Sequence, residues 1–150
     1  MTDFLKQKPI IFDGPNIQTL QALSIEHDIW NFIRNNRMAG KKILVIDDEL
    51  DICLLLSGYL KKEGHEVVYT TSLKSGAEIA KQFIPDAIFL DHNLPDGLGI
   101  SYINQFKELG CEVFIISALS NLKDEALKNG ADQFFEKPLS LSSIKEAVEK

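Results

Sequence analysis

The sequence predicts an α/β fold in which a doubly wound parallel sheet carries helices on both faces. Residues 43–46 and 87–90 are apolar runs without polar alternation, a pattern typical of strands buried on both faces. Segments with helical periodicity alternate with such runs, and the connections between them are short. Helices packed on both faces of a parallel sheet are the simplest arrangement of these units.

Size, charge and cysteine content narrow the class of protein. A chain of 150 residues is long enough for one domain with a sizeable core. The charges of residues 1–40 cancel, so the whole net charge of −6 lies in residues 41–150 and argues against a nucleic-acid surface. Cys53 and Cys111 lack metal-ligand spacing, which favours buried, reduced thiols. No run has transmembrane length or the form of a signal peptide, so we expect a cytoplasmic protein without membrane contact.

Residues 1–40 differ in pattern from the rest of the chain. Two prolines and a glycine within residues 9–15 predict turns or extended chain. From Asn16 apolar side chains recur at helical spacing, at Ile17, Leu20, Leu23, Ile25, Ile29, Phe32 and Ile33. We therefore predict an N-terminal extension of one or two amphipathic helices in residues 1–40, followed by the α/β domain in residues 41–150.

The first two βα units have clear start and stop signals. Residues 43–46 are the first strand, and residues 50–63 are a helix that ends at Gly64. Residues 66–70 and 73–83 are the second strand and helix. The side chains of the first helix that we expect to face the sheet are Ile52, Leu55, Leu56, Tyr59 and Leu60.

Three further units complete the prediction. The third strand, 87–90, precedes a helix at 100–109 that ends at Gly110. The fourth and fifth units follow the same pattern, because turn-forming residues again separate their apolar runs. Their strands are residues 112–116 and 132–135, and their helices are residues 119–128 and 140–150.

Polar side chains occur where the predicted strands end. These residues are Asp47, Asp48, Asp91, Ser117 and, two positions after the fifth strand, Lys137. The carboxyl ends of parallel strands share one edge of a sheet, where such folds bind ligands, so we expect these side chains to converge. A structural alternative is that Asp47 and Asp48 only stabilise the start of the first helix; that explains either aspartate but not the whole set.

The predicted cluster suits phosphoryl transfer. Three neighbouring carboxylates raise one another's pKa, and a Mg²⁺ ion, which prefers oxygen ligands, relieves that repulsion. Asp91 is placed to act as a carboxylate nucleophile and form an acyl phosphate. The metal and Lys137 would stabilise the charge on the transferred group.

The motifs that carry these residues resemble a two-component response regulator receiver domain across residues 41–150. The matching segments are Ile43-Leu-Val-Ile-Asp-Asp-Glu49, Asp91-His-Asn-Leu-Pro-Asp-Gly-Leu-Gly99, Ile115-Ile-Ser-Ala118 and Gly130-Ala-Asp-Gln-Phe-Phe-Glu-Lys-Pro138. The resemblance implies a flavodoxin-like (βα)₅ fold. It also implies that a histidine kinase or histidine phosphotransfer protein phosphorylates Asp91, and that the domain catalyses only its own phosphorylation and dephosphorylation.

The resemblance further assigns a metal site. Asp48, Asp91 and the backbone carbonyl of Asn93 look like Mg²⁺ ligands, and Asp47 would hold the metal through water. Lys137, followed by a proline in a cis bond, would bind the phosphoryl group.

The family's switch positions also have counterparts in this chain. Ser117 fits the hydroxyl switch position and Phe134 the aromatic one. Phosphorylation would draw Ser117 inward and remodel the face formed by helix 4, strand 5 and helix 5. That face would contact a downstream target or a second copy of the chain.

Several alternatives stay open at the level of sequence. His92 is expected to be a solvated loop residue rather than one that tunes water access. Residues 1–40 could dock on the receiver, mediate self-association or partner binding, or form a tail, and an output region could lie beyond Lys150. A Mg²⁺-dependent phosphatase is the rival enzyme, although Asp91-His-Asn lacks the Asp-x-Asp pair of such enzymes; a phosphorylation-independent adaptor is the third reading.

Overall fold

Five parallel strands form one sheet in a computed structural model of the chain, which describes residue 28 and residues 40–150. The strands, numbered in chain order, are β1 (Lys42–Ile46), β2 (Glu66–Thr70), β3 (Ala87–Asp91), β4 (Glu112–Ser117) and β5 (Gln133–Glu136). Their spatial order is β2-β1-β3-β4-β5, and every neighbouring pair is parallel. The predicted parallel α/β sheet is confirmed.

One helix follows each strand. The helices are α1 (Leu50–Lys62), α2 (Leu73–Phe83), α3 (Ile103–Glu108), α4 (Lys123–Lys128) and α5 (Leu141–Glu149). Helices α3 and α4 are shorter than predicted, because 3₁₀ turns at Gly99–Tyr102 and Ser120–Leu122 form their first turns, as is frequent at helix N-termini. The prediction of amphipathic helices in residues 1–40 falls, apart from Asp28 and Gly40, outside the described residues.

The sheet separates two hydrophobic layers. Ile43, Val45 and Phe89 point to the face covered by α1 and α5. Leu44 and Ile88 point to the opposite face, which α2, α3 and α4 cover. Because neighbouring residues of a central strand are buried on opposite faces, β1 and β3 need apolar side chains at every position, which explains their unbroken apolar runs.

One helix face differs from the prediction. Leu55 was expected to face the sheet, but it is 45% exposed, whereas Cys53, Leu56 and Leu60 are fully buried. These three buried residues follow the three- and four-residue spacing of one helix face. Leu55 lies about 100° around the helix axis from Leu56, so it points to solvent.

Candidate functional site

The carboxyl ends of β1 and β3 bring three aspartates together. Ile46 lies opposite Leu90 in the sheet, so Asp47 is level with Asp91 at the end of β3. Carboxylate oxygens of Asp47, Asp48 and Asp91 all lie within 4.8 Å of one another. Asp47 is fully buried, Asp91 is 5% exposed, and Asp48 faces solvent. The predicted convergence of these aspartates is therefore observed.

Lys137 joins the aspartates from the end of β5. Its backbone N–H donates to the carbonyl of Ser117 at 2.9 Å, which fixes the lysine beside β4, and its bond to Pro138 is cis. The Lys137 Nζ lies 3.1 Å from Asp47 Oδ2 and 3.5 Å from Asp91 Oδ1. Asp47 Oδ2 is buried and accepts no well-aligned hydrogen bond, so its contact with Lys137 is an ion pair rather than a directed bond.

The electrostatics of the site follow from this crowding. Burial, and next the charge of Asp47, raise the pKa of Asp91 from 3.8 to about 7, although Lys137 opposes the shift. Burial likewise raises the pKa of Asp47. For Lys137, burial alone would lower the pKa, but its hydrogen bond to Glu49 and its ion pair with Asp47 outweigh burial and raise it. The lysine stays charged, while Asp91 sheds its proton only near neutral pH.

Five of the predicted site residues line a single cleft. Asp48, Asp91, Asn93, Ser117 and Lys137 all contribute to its walls. The Ser117 hydroxyl oxygen accepts a hydrogen bond from the Leu119 backbone N–H at 3.0 Å, so its own hydrogen stays available as a donor.

Phe134 is placed differently from the other predicted residues. It is not among the residues that line the cleft. Its ring is partly buried and packs against the hydrophobic layer beneath α2, α3 and α4. The structure therefore separates the expected aromatic switch position from the acidic cluster.

The backbone of Gly99 packs closely against the backbone of Asp91 and His92. The Gly99 N–H donates to the carbonyl of His92 at 2.7 Å. A Cβ at Gly99 would overlap the backbone carbonyl oxygen of Asp91. Only glycine lets the chain turn back this closely beneath Asp91, which explains the glycine that ends the Asp91–Gly99 motif.

The structure corrects the expectation for His92. This residue is only 7% exposed and is not a solvated loop residue. Its backbone N–H donates to the carbonyl of Ile116 at 3.2 Å, so the sheet pairing continues one residue past Asp91. Burial lowers the pKa of His92, and the charge of Glu125 opposes that shift.

Glu49 is a site residue that the sequence reasoning did not assign. Its Oε1 lies 2.6 Å from Lys137 Nζ, and its backbone N–H donates to Asp47 Oδ1 at 2.8 Å. The sequence contained one indication of this role. Glu49 lies two residues after Asp47, in the short turn between β1 and α1 at the carboxyl edge of the sheet.

The cluster has the chemistry of a divalent-cation site. Three carboxylates, two of them buried, share a small volume with a single lysine. The buried Asp47 Oδ2 accepts no well-aligned hydrogen bond. Hard oxygen ligands with excess negative charge are what Mg²⁺ requires. The residues present therefore fit such an ion.

Fold and site together define an α/β domain built to hold a charged group at the carboxyl edge of its sheet. The family model of the response regulator receiver domain matches residues 43–149. The chain belongs to this family, and residues 43–149 are a receiver domain. The recognition made from the motifs is thereby confirmed.

Individual relatives agree with the family match. The chain is 32% identical over 116 residues to the transcriptional regulatory protein YxdJ of Bacillus subtilis, covering 73% of this chain and 51% of YxdJ. It is 29% identical over 116 residues to the chemotaxis protein CheY of Thermotoga maritima, covering 74% of this chain and 97% of CheY. The chain thus spans about half of the first relative and nearly all of the second.

Solved structures share the fold. The receiver domain of the Francisella response regulator 1452 is 26% identical with a TM-score of 0.69, covering 73% of this chain and 94% of that one. A response regulator protein from Burkholderia pseudomallei, solved with a phosphorylated aspartic acid, a calcium ion and citrate, is 25% identical with a TM-score of 0.67. That match covers 72% of this chain and 66% of the other. The CheY-like, flavodoxin-like fold is confirmed.

No helix within residues 40–150 combines the length and the apolar character that a membrane span requires.

Proposed function

We propose that Asp91 is the phosphoacceptor of this receiver domain and takes its phosphoryl group from a phosphohistidine of a kinase or phosphotransfer protein. The observation that carries the proposal is the position of Asp91, at the floor of a cleft, 3.5 Å from Lys137 Nζ and beside Asp47 and Asp48. The phosphorylated aspartic acid in the Burkholderia pseudomallei relative supports the same chemistry.

The transfer is a displacement at phosphorus. A carboxylate oxygen of Asp91 forms the new O–P bond as the N–P bond of the phosphohistidine breaks, and the electron pair returns to the imidazole nitrogen. The ammonium group of Lys137 lies close enough to Asp91 to contact the oxygens of the transferred phosphoryl group. The Ser117 hydroxyl can donate its free hydrogen to one of these oxygens. These groups stabilise charge on the transferred group, which is most of what this reaction requires of a protein.

The acidic cluster would hold Mg²⁺ for this step. Asp48, Asp91 and the Asn93 backbone carbonyl would be direct ligands, and Asp47 would act through water. When bound, the ion would neutralise the charge that accumulates on the phosphoryl oxygens. The calcium ion in the Burkholderia pseudomallei relative supports a divalent cation in such a cluster.

The phosphorylated state would act through a contact surface. Ser117 and Phe134 lie on the neighbouring strands β4 and β5, so Phe134 can follow an inward movement of Ser117. The surface formed by α4, β5 and α5, or residues 1–40, would then bind a downstream protein or a second copy of the chain. The domain would turn over no metabolite and catalyse only its own phosphorylation and dephosphorylation.

Native mass spectrometry of the full chain with Mg²⁺ and acetyl phosphate tests the proposal. We expect a single phosphoryl adduct on the wild type and none on Asp91→Ala. An adduct that persists in Asp91→Ala would contradict the assignment of the acceptor. Steady hydrolysis of a small phosphomonoester would favour the rival phosphatase function instead.

A further inference from the structure

We propose that Asp96 is a positioning residue for the metal site: its carboxylate holds the tip of the loop that carries Asn93 against the start of α2. This inference rests on the proposed function, because it concerns how the proposed Mg²⁺ ligands are kept in place. Asp96 itself does not touch the reacting atoms.

The contact is a pair of hydrogen bonds between distant segments. The backbone N–H of Leu73 donates to Asp96 Oδ1 at 2.9 Å, and that of Lys74 donates to Asp96 Oδ2 at 2.9 Å. Each carboxylate oxygen thus accepts one bond from the first turn of α2, where negative charge is also favoured by the helix dipole. These bonds lower the pKa of Asp96, so the carboxylate stays charged.

The segment that Asp96 holds is a small hairpin next to Asp91. Asn93 pairs with Leu98 and Leu94 with Gly97 in antiparallel fashion, which places Asp96 at the turn. The hairpin base is fixed at His92, whose N–H bonds to β4 and whose carbonyl accepts from Gly99. Asp96 therefore anchors the end of the hairpin that the sheet does not reach.

The bonds from Asp96 do more than cap a helix. Helix α2 already has its own N-cap in Ser72, whose hydroxyl accepts from the Ser75 N–H at 3.2 Å. The Lys74 N–H is at the surface, where water can satisfy it. What Asp96 adds is a link between segments 22 and 23 residues apart.

Packing reinforces that link. The side chain of Leu73 is fully buried, and a Cβ at Gly97 would lie 3.0 Å from its Cδ1. The hairpin therefore rests on the first residue of α2 as well as bonding to it.

Asn93 is the proposed ligand that depends most on this anchor. Asp91 is the last residue of β3, and Asp47 directly follows β1, so the sheet positions both. Asn93 lies beyond the sheet in the hairpin and is exposed. Metal affinity depends on groups that orient the ligands, and Asp96 is such a group for this hairpin.

A matched pair of variants separates positioning from helix capping. Asp96→Ala and Ser72→Ala each remove a cap from α2, but only the first frees the hairpin. In calorimetric titrations of the full chain with Mg²⁺, we expect Asp96→Ala to raise the Kd about tenfold, the lower end of what losing a ligand-orienting group costs. Ser72→Ala should leave the Kd unchanged although it lowers the melting temperature.

Amide hydrogen exchange provides a readout that does not depend on metal. We expect faster exchange of the residue 93–98 amides in Asp96→Ala, and wild-type exchange there in Ser72→Ala. Asp96→Asn keeps one acceptor oxygen and should restore part of the Mg²⁺ affinity.

Three outcomes have different meanings. Equal Mg²⁺ affinities and equal exchange in Asp96→Ala and Ser72→Ala would overturn the inference and leave the proposed function intact. A wild type that binds no Mg²⁺ would overturn the proposed metal site, and exchange of residues 93–98 would then decide whether Asp96 positions the hairpin. Weaker binding with faster exchange in Asp96→Ala alone would support the inference.

Discussion

The closest carboxylate to the ammonium group of Lys137 is that of Glu49, at 2.6 Å, rather than that of Asp91, at 3.5 Å. The Glu49 side chain is 59% exposed, whereas that of Lys137 is 15% exposed. An exposed glutamate at the rim thus makes the shortest contact of the partly buried lysine. A phosphoryl group on Asp91 would have to compete with Glu49 for this lysine.

We therefore predict that Glu49→Gln speeds phosphorylation of the full chain by acetyl phosphate. The expected increase is about two- to fivefold, because a partly exposed ion pair is worth roughly up to 1 kcal/mol. Quenched-flow or mass-spectrometric time courses measure it. Glu63→Gln, which breaks a Glu–Lys pair with Lys145 away from the cleft, is the control and should leave the rate unchanged. A slower reaction in Glu49→Gln would mean that Glu49 assists Lys137.

Asp91→Asn should stabilise the protein when Mg²⁺ is chelated, and the gain should depend on pH. The folded state raises the pKa of Asp91 from 3.8 to about 7, so it binds this proton more tightly than the unfolded chain does. The wild type therefore loses stability from Asp91 as pH rises from about 4 to about 7. At pH 8 the free energy of unfolding of Asp91→Asn should exceed that of the wild type by at least about 1.4 kcal/mol, the value of one pKa unit.

Urea denaturation of both proteins at several pH values tests this sign. The difference in unfolding free energy should grow up to about pH 7 and then level off. A constant difference across this range would mean that Asp91 has an ordinary pKa.

Lys137→Met should destabilise the fold, because it leaves Asp47 and Asp91 buried without their cation. Removing one partner of a buried ion pair typically costs about 3 kcal/mol or more. Chemical denaturation at neutral pH measures this loss. In Lys137→Met/Asp91→Asn the loss should be smaller, since one of the uncompensated charges is gone. Additive effects of the two substitutions would show that Lys137 and Asp91 do not interact.

Gly99→Ala should impair the site by pressing on the backbone of Asp91. The added methyl group would overlap the Asp91 carbonyl oxygen, so the chain must shift to make room. We expect lower stability, weaker Mg²⁺ binding and slower phosphorylation. Gly58→Ala is the matched control, because α1 leaves open space there and alanine should stabilise the helix by roughly 0.5–1 kcal/mol. Wild-type Mg²⁺ affinity in Gly99→Ala would contradict the prediction.

The sequence alone predicted the parts of the molecule that follow from local patterns. Unbroken apolar runs identified β1 and β3, because central strands of a parallel sheet are buried on both faces. The convergence of Asp47, Asp91 and Lys137 was also predictable, since the carboxyl ends of parallel strands share one edge.

Tertiary structure decided the contacts between separate segments. The ion pair of Glu49 with Lys137 spans 88 residues, and the bonds of Asp96 to α2 span 22 and 23. The backbone of His92 also pairs with β4 beyond the predicted end of β3, and its side chain is buried. Periodicity in the sequence indicates which face of a helix or strand is apolar. It does not indicate which distant residue contacts a given polar side chain. The succession of strands and helices along the chain therefore follows from the sequence, whereas the arrangement of charge around Asp91 does not.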